Sequence, residues 1–85
     1  MGKKIYVGNL PFSTTSDSLS EVFKPFGAVD SSKIIFDKET GKSKGFGFVE
    51  MRDNVEAATA IFQLHGSNYG GRSLTVNEAR PQKLN

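Results

Sequence analysis

The octapeptide Lys44-Gly45-Phe46-Gly47-Phe48-Val49-Glu50-Met51 constrains the fold more tightly than any other stretch of the chain. Read with the two-residue period of a β-strand, it puts Lys44, Phe46, Phe48 and Glu50 on one face and Gly45, Gly47, Val49 and Met51 on the other. A Phe-x-Phe pair by itself is core more often than surface, because phenylalanine is so commonly buried. Here Lys44 and Glu50 share the phenylalanine face, and charged side chains are almost never fully buried unless paired. The glycine and aliphatic face is therefore expected to be the inner one, which turns two aromatic rings toward water. Exposed apolar surface of that kind marks a binding site. Alternate glycines inside a strand signal a close backbone approach.

The same logic orders the rest of the chain. Lys4-Ile5-Tyr6-Val7-Gly8-Asn9-Leu10 reads as a first strand ended by Pro11, with Ile5 and Val7 inward and Tyr6 outward. The hydroxyl-rich segment Phe12-Ser13-Thr14-Thr15-Ser16-Asp17 suits a helix cap, Thr15 above all, and Leu19, Val22, Phe23 and Phe26 follow at the spacing of one helical face. Pro25 and Gly27 close that helix. Residues 29–36 form a second strand with Ile34 inward and Lys33 and Ile35 outward; Asp37 to Ser43 is a charged turn that makes a hairpin with the octapeptide. Lys38, Lys42 and Lys44 gather at that end.

After the octapeptide, Asp53 or Asn54 caps a second helix whose inner stripe is Ala57, Ala60, Ile61 and Leu64. The small alanines are expected to let this helix lie close on Gly45 and Gly47. His65, near the helix end, reads as a favourable charge at the negative end of the helix dipole. Tyr69 to Arg72 is a turn, and Ser73 to Ala79 the last strand, with Leu74 and Val76 inward and Thr75 and Asn77 outward.

Strand, helix, strand, strand, helix, strand is the split pattern of an α+β, ferredoxin-like βαββαβ sandwich, a four-stranded antiparallel sheet with two helices on one face. Both helices must cover the same face, because only one face is aliphatic. Residues 1–80 are expected to form one domain and 81–85 a short tail. The chain has no cysteine, a single histidine and no paired carboxylates at a shared site, so no catalytic site, metal or cofactor is expected. The Gly45-Phe46-Gly47 run lacks the third glycine and following helix of a phosphate-binding loop. No apolar run approaches the length of a membrane span, and no membrane contact is expected. A net charge of +2 is too small to argue for a polyanionic ligand; the placement of the cations has to do that.

The octapeptide meets six of the seven specified positions of Lys/Arg-Gly-Phe/Tyr-Gly/Ala-Phe-Val-x-Phe/Tyr, and so resembles the longer signature of the RNA-recognition motif family. The departure, Met51, falls on the inner face and leaves the outer one intact. Ile5 to Leu10 is similar to the family's shorter signature, and the two lie in the right order. The resemblance covers nearly the whole chain and implies that the first and third strands are neighbours at the centre of the sheet. It further implies that Tyr6 and Phe48 each stack a base, that Phe46 packs against sugars and that Lys44 meets a phosphate. Asn77, Ala79 and Arg80 would read base edges, with Lys33 and Ile35 beside the rings. The expected partner is single-stranded RNA, bound by a monomer with modest sequence selectivity. Single-stranded DNA is the alternative ligand, and a protein-interaction module on the same fold the alternative function. The ending Val76-Asn77-Glu78-Ala79-Arg80-Pro81 resembles short single-motif RNA-binding proteins of bacteria and organelles, so a cytoplasmic or organellar setting is expected.

Overall fold

A computed structural model describes residues 3–79; Arg80 and the 81–85 tail lie outside the described residues. Its elements are β1 (Lys3–Gly8), α1 (Ser16–Phe23) followed by a 3₁₀ turn (Lys24–Phe26), β2 (Val29–Phe36), β3 (Ser43–Met51), α2 (Asn54–Leu64), a small hairpin of β4 (Asn68–Tyr69) and β5 (Arg72–Ser73), and β6 (Thr75–Glu78). The main sheet runs β2-β3-β1-β6, antiparallel throughout. Alternation then does what the sequence pattern requires. Ile5, Val7, Ile34, Val49, Met51 and Val76 are buried from the sheet side and meet Leu19, Phe23, Ala57 and Ala60 from the helices. Among the described residues, no helix lies on the opposite face of the sheet. Among the described residues, no helix is long and apolar enough to cross a membrane.

Side-chain caps set where the helices begin. Thr15 Oγ1 accepts from Ser18 N–H at 3.1 Å while Ser18 Oγ accepts from Thr15 N–H at 2.9 Å, a reciprocal box that satisfies two otherwise orphaned amides. Asp53 Oδ2 accepts from Glu56 N–H at 2.8 Å at the start of α2. Asp53→Ala should lower the unfolding free energy by about 0.5–2 kcal/mol, read as a shifted urea midpoint at unchanged slope. An unmoved midpoint would show that this cap does not hold the helix.

Four local readings change. Pro25 cannot continue α1, so Lys24–Phe26 tightens into 3₁₀ geometry and Phe26 is only partly buried. The last strand is shorter than the pattern suggests. Arg72 and Ser73 pair back on Tyr69 and Asn68, and β6 starts at Thr75. His65 is an acceptor: its Nδ1 takes the N–H of Val76 at 3.0 Å, tying the end of α2 to β6. A bare Nδ1 requires the neutral ring in this contact, so the side chain acts as a connector and not as a charge at the helix end. Finally, the glycines of β3 do not serve α2. A Cβ on Gly47 would collide with the carbonyl oxygen of Lys33 and sit 3.2 Å from Ile34 Cα, so it is the backbone of β2 that needs the space. Gly45, at φ +83°, would place a Cβ 3.2 Å from the ring of Phe12 and 3.5 Å from the carbonyl oxygen of Leu10. The chain leaving β1 is its neighbour.

Candidate nucleic-acid interface

Strand register builds the open face. Lys33 lies opposite Phe48, Phe48 opposite Tyr6, and Tyr6 opposite Asn77, so these side chains form one row across all strands of the main sheet. Phe46 is opposite Gly8. A Cβ at Gly8 would fall 2.9 Å from the Tyr6 ring, so the missing side chain is what lets that ring lean along β1 toward Phe46. The outcome is a triangle of rings. Tyr6 and Phe46 centroids are 5.8 Å apart at 34°, Tyr6 and Phe48 5.9 Å at 66°, and Phe46 and Phe48 6.2 Å at 90°. Tilted and edge-to-face pairs at these separations are mutually attractive. Each ring is therefore half-buried by its neighbours instead of standing free in water, and is held in place before any ligand arrives.

Cations flank the triangle on both sides. Lys33 and Ile35 share a hollow of about 210 Å³ with Lys4, Ser31, Phe48 and Glu50. Lys4 Nζ stands 5.0 Å from the centroid of Phe48, within cation–π range. The sequence reading missed Lys4, although it lies two residues before Tyr6 and so has the same facing. Lys44 lies on the other side, in a hollow of about 230 Å³ with Tyr6, Asn9, Phe12, Phe46 and Arg72. Alternation is broken on the way to it. Ile34 pairs with Gly47 and Phe36 with Ser43, so Ile35 alone stands against Lys44, Gly45 and Phe46. The offset is an even number of residues, which is why Lys44 still reaches the ring face.

Phe12 and Arg72 were also outside the sequence-derived set, because Phe12 sits in the β1–α1 connection and Arg72 in the two-residue strand β5, too short for periodicity to assign a face. Phe12 is 66% exposed, and the guanidinium carbon of Arg72 lies 5.5 Å from its ring centroid. Of the remaining candidates, Asn77 is exposed on β6. The N–H of Ala79 donates to the carbonyl of Lys4 at 2.8 Å, so that residue has only its carbonyl left for a ligand. Lys38 and Lys42 are exposed in the β2–β3 connection. There Asp37 Oδ1 accepts from Glu39 N–H at 2.8 Å and Thr40 N–H at 3.3 Å. Those amides, with a smaller contribution from the charge of Lys44, hold its carboxyl below the usual aspartate range.

The arrangement offers apolar ring faces between positive charges. It suits a ligand with flat aromatic groups joined by anionic links. A family model described as RNA recognition motif matches residues 5–75. The chain is 48% identical over 79 residues to "Putative RNA-binding protein RbpA" of Nostoc sp., covering 93% of this chain and 78% of that protein. A crystal structure of RNA Binding Protein PG1 superposes with a TM-score of 0.89 at 45% identity, covering 94% of this chain and 99% of that one. The structure of the Rna15 RRM with bound RNA (GU) superposes with a TM-score of 0.82 at 31% identity, covering 95% and 86% respectively.

Proposed function

This chain belongs to the RNA recognition motif family, and from that premise we propose that it binds single-stranded RNA by stacking unpaired bases on Tyr6 and Phe48. The observation that carries this reading is the triangle of Tyr6, Phe46 and Phe48 at the centre of the uncovered face, with lysines on either side. Base–aromatic stacking contributes about 1–3 kcal/mol per base. Phe46 packs against the sugar between two stacked bases, Lys44 and Lys33 meet phosphates, Ile35 widens the apolar floor beside Phe48, and Asn77 and the carbonyl of Ala79 read base edges. Arg80, next in the chain, belongs to the same reading. Two stacks and two or three phosphate contacts, less the cost of ordering a flexible strand, correspond to a dissociation constant on the order of micromolar and a footprint of roughly two to four nucleotides on the sheet. A duplex does not fit, because its bases already stack on one another. The domain acts in this reading as a monomeric binder with no catalytic step, in a cytoplasmic or organellar setting.

Fluorescence anisotropy with labelled oligonucleotides tests this. Single-stranded RNA should bind far more tightly than the matching duplex, with a log–log salt slope of about −1.4 to −2 for two or three phosphate contacts. A parallel single-stranded DNA series measures the contribution of the 2′-hydroxyl. Lys44→Glu should weaken every RNA sequence alike and flatten the slope by about 0.7 or more. A change of sequence preference at constant slope would refute the phosphate role of Lys44, and equal affinity for duplex would refute the stacking reading.

A further inference from the structure

We propose that the outer face of α2 is a self-association surface, on which a second copy of this chain packs its own α2 in antiparallel fashion. Val55, Ala58, Thr59 and Phe62 are all exposed and recur at i, i+3, i+4 and i+7, so they form one stripe along the helix, opposite the buried Ala57 and Ala60. Phe62 is 82% and Val55 73% exposed, more open than any other large apolar side chain among the described residues. An amphipathic helix ordinarily turns charged and polar groups to that side. The first helix does so: Asp17, Glu21 and Lys24 are exposed on it and at its end, and Lys24 Nζ pairs with Glu21 Oε2 at 2.7 Å.

The stripe on α2 is uncharged along its whole length. Its hydroxyl is already used: Thr59 Oγ1 donates to the carbonyl of Val55 at 3.1 Å, within the same helix. Glu56 is the one ionisable residue of α2, and it is half-buried on the flank. A Cβ added to Gly27 would collide with its Oε1, so that carboxylate lies against the end of the 3₁₀ turn and not on the stripe. Such a surface gives an ionic ligand nothing to pair with and does not repel a copy of itself. The net charge of +2 per chain adds only weak repulsion between copies.

The order of side chains along the stripe is self-complementary. A two-fold contact is isologous, so an antiparallel pair sets Phe62 on Val55 of the second copy and Ala58 on its Thr59, and the reverse. The small pair falls at the axis, where it lets the helices approach, and the large pair closes each end. Antiparallel helices also oppose their dipoles. Side chains of these sizes and exposures bury on the order of 300–400 Å² per copy, below the roughly 800 Å² per partner of a stable complex. The association is therefore weak, with a dissociation constant of about 0.1–1 mM, and forms only where copies are crowded. Because α2 covers the other side of the sheet from the rings, each copy keeps its platform open and binds RNA on its own.

Sedimentation and ¹⁵N amide spectra of the whole chain, compared between about 20 μM and about 2 mM so as to bracket that constant, test the proposal. Wild type should move from monomer toward dimer, with concentration-dependent shifts centred on Val55, Ala58, Thr59 and Phe62. Phe62→Glu and Val55→Lys, each checked for a native spectrum, should each weaken self-association about tenfold or more, because either buries an unpaired charge. An equal mixture of the two variants should associate more strongly than Phe62→Glu or Val55→Lys alone, since the antiparallel register brings the new carboxylate to the new ammonium. Affinity for a uridine hexamer should stay within about twofold of wild type in Phe62→Glu, because the stripe lies away from the rings. A wild type that sediments as monomer at the highest concentration would overturn the proposal and leave the stripe to a different protein. Shifts centred on α1 or the sheet, or self-association that survives Phe62→Glu, would also overturn it, and a mixture no stronger than its components would overturn the antiparallel register.

Discussion

Phe48→Ala is expected to weaken binding of single-stranded RNA at least tenfold and to cost only about 1–3 kcal/mol of stability. The first figure follows from losing one stacked base and the cation–π partner of Lys4, since stacking alone is worth about 1–3 kcal/mol. The second follows from the surroundings of the ring. Phe48 is half-buried, and what it loses on truncation is chiefly its edge contacts with Tyr6 and Phe46, worth about 0.5–1.5 kcal/mol for each aromatic pair. Phe23 provides the contrast. It is fully buried between helix and sheet, and Phe23→Ala should cost about 3–5 kcal/mol. Equilibrium urea unfolding and anisotropy on the same two variants check both figures. Equal destabilisation by the two truncations would mean that Phe48 is a core residue.

The second large effect is expected at Gly47. Gly47→Ala should destabilise the domain by about 2–3 kcal/mol, even though alanine is the smallest possible addition and the position lies inside a strand. The added methyl meets the carbonyl oxygen of Lys33, which belongs to the backbone of β2 and cannot swing aside as a side-chain tip would. Relief requires β2 to move away from β3 at the point where Ile34 pairs with Gly47 and Lys33 with Phe48. The platform should therefore suffer with the fold, and RNA affinity should fall even where the protein remains folded. Unfolding midpoints for Gly47→Ala and for the roomier Gly41→Ala separate this from a general intolerance of lost glycine; a Cβ at Gly41 meets nothing within 4 Å, leaving only the strain of its φ of +74°. A midpoint for Gly47→Ala no lower than that of Gly41→Ala would contradict the close-approach account.

The fold was legible because two periods dominate the chain. Ile5 and Val7, Val49 and Met51, and Leu19 and Phe23 each mark an inner face without reference to anything distant, and all are buried. Tyr6, Phe46 and Phe48 were legible as outward residues for the same reason, and their adjacency followed from the family resemblance. What periodicity could not reveal lies in connections and in contacts between elements. Phe12 and Arg72 sit where no alternation applies, and their meeting depends on how the β1–α1 connection folds back over β3. The reason for Gly47 was visible only as a close approach, since the partner is a backbone oxygen on another strand and not the alanines of α2. Similarly, His65 looks like a terminal charge along the sequence but is a hydrogen-bond acceptor once β6 comes beside it. Lys4 is a different case. Its facing could have been read from Tyr6, two residues further along the same strand.

The central claim is that the uncovered face of the sheet receives unpaired nucleotides on its rings. The most direct measurement is a titration of the ¹⁵N-labelled protein with short single-stranded RNA homopolymers, following every backbone amide. Shifts should concentrate on β1 and β3 around Tyr6, Phe46 and Phe48 and extend to Lys33 and Asn77 in the same row, while the amides of α1 and α2 stay still. Saturable shifts confined to the helices, or none with any single strand, would contradict it.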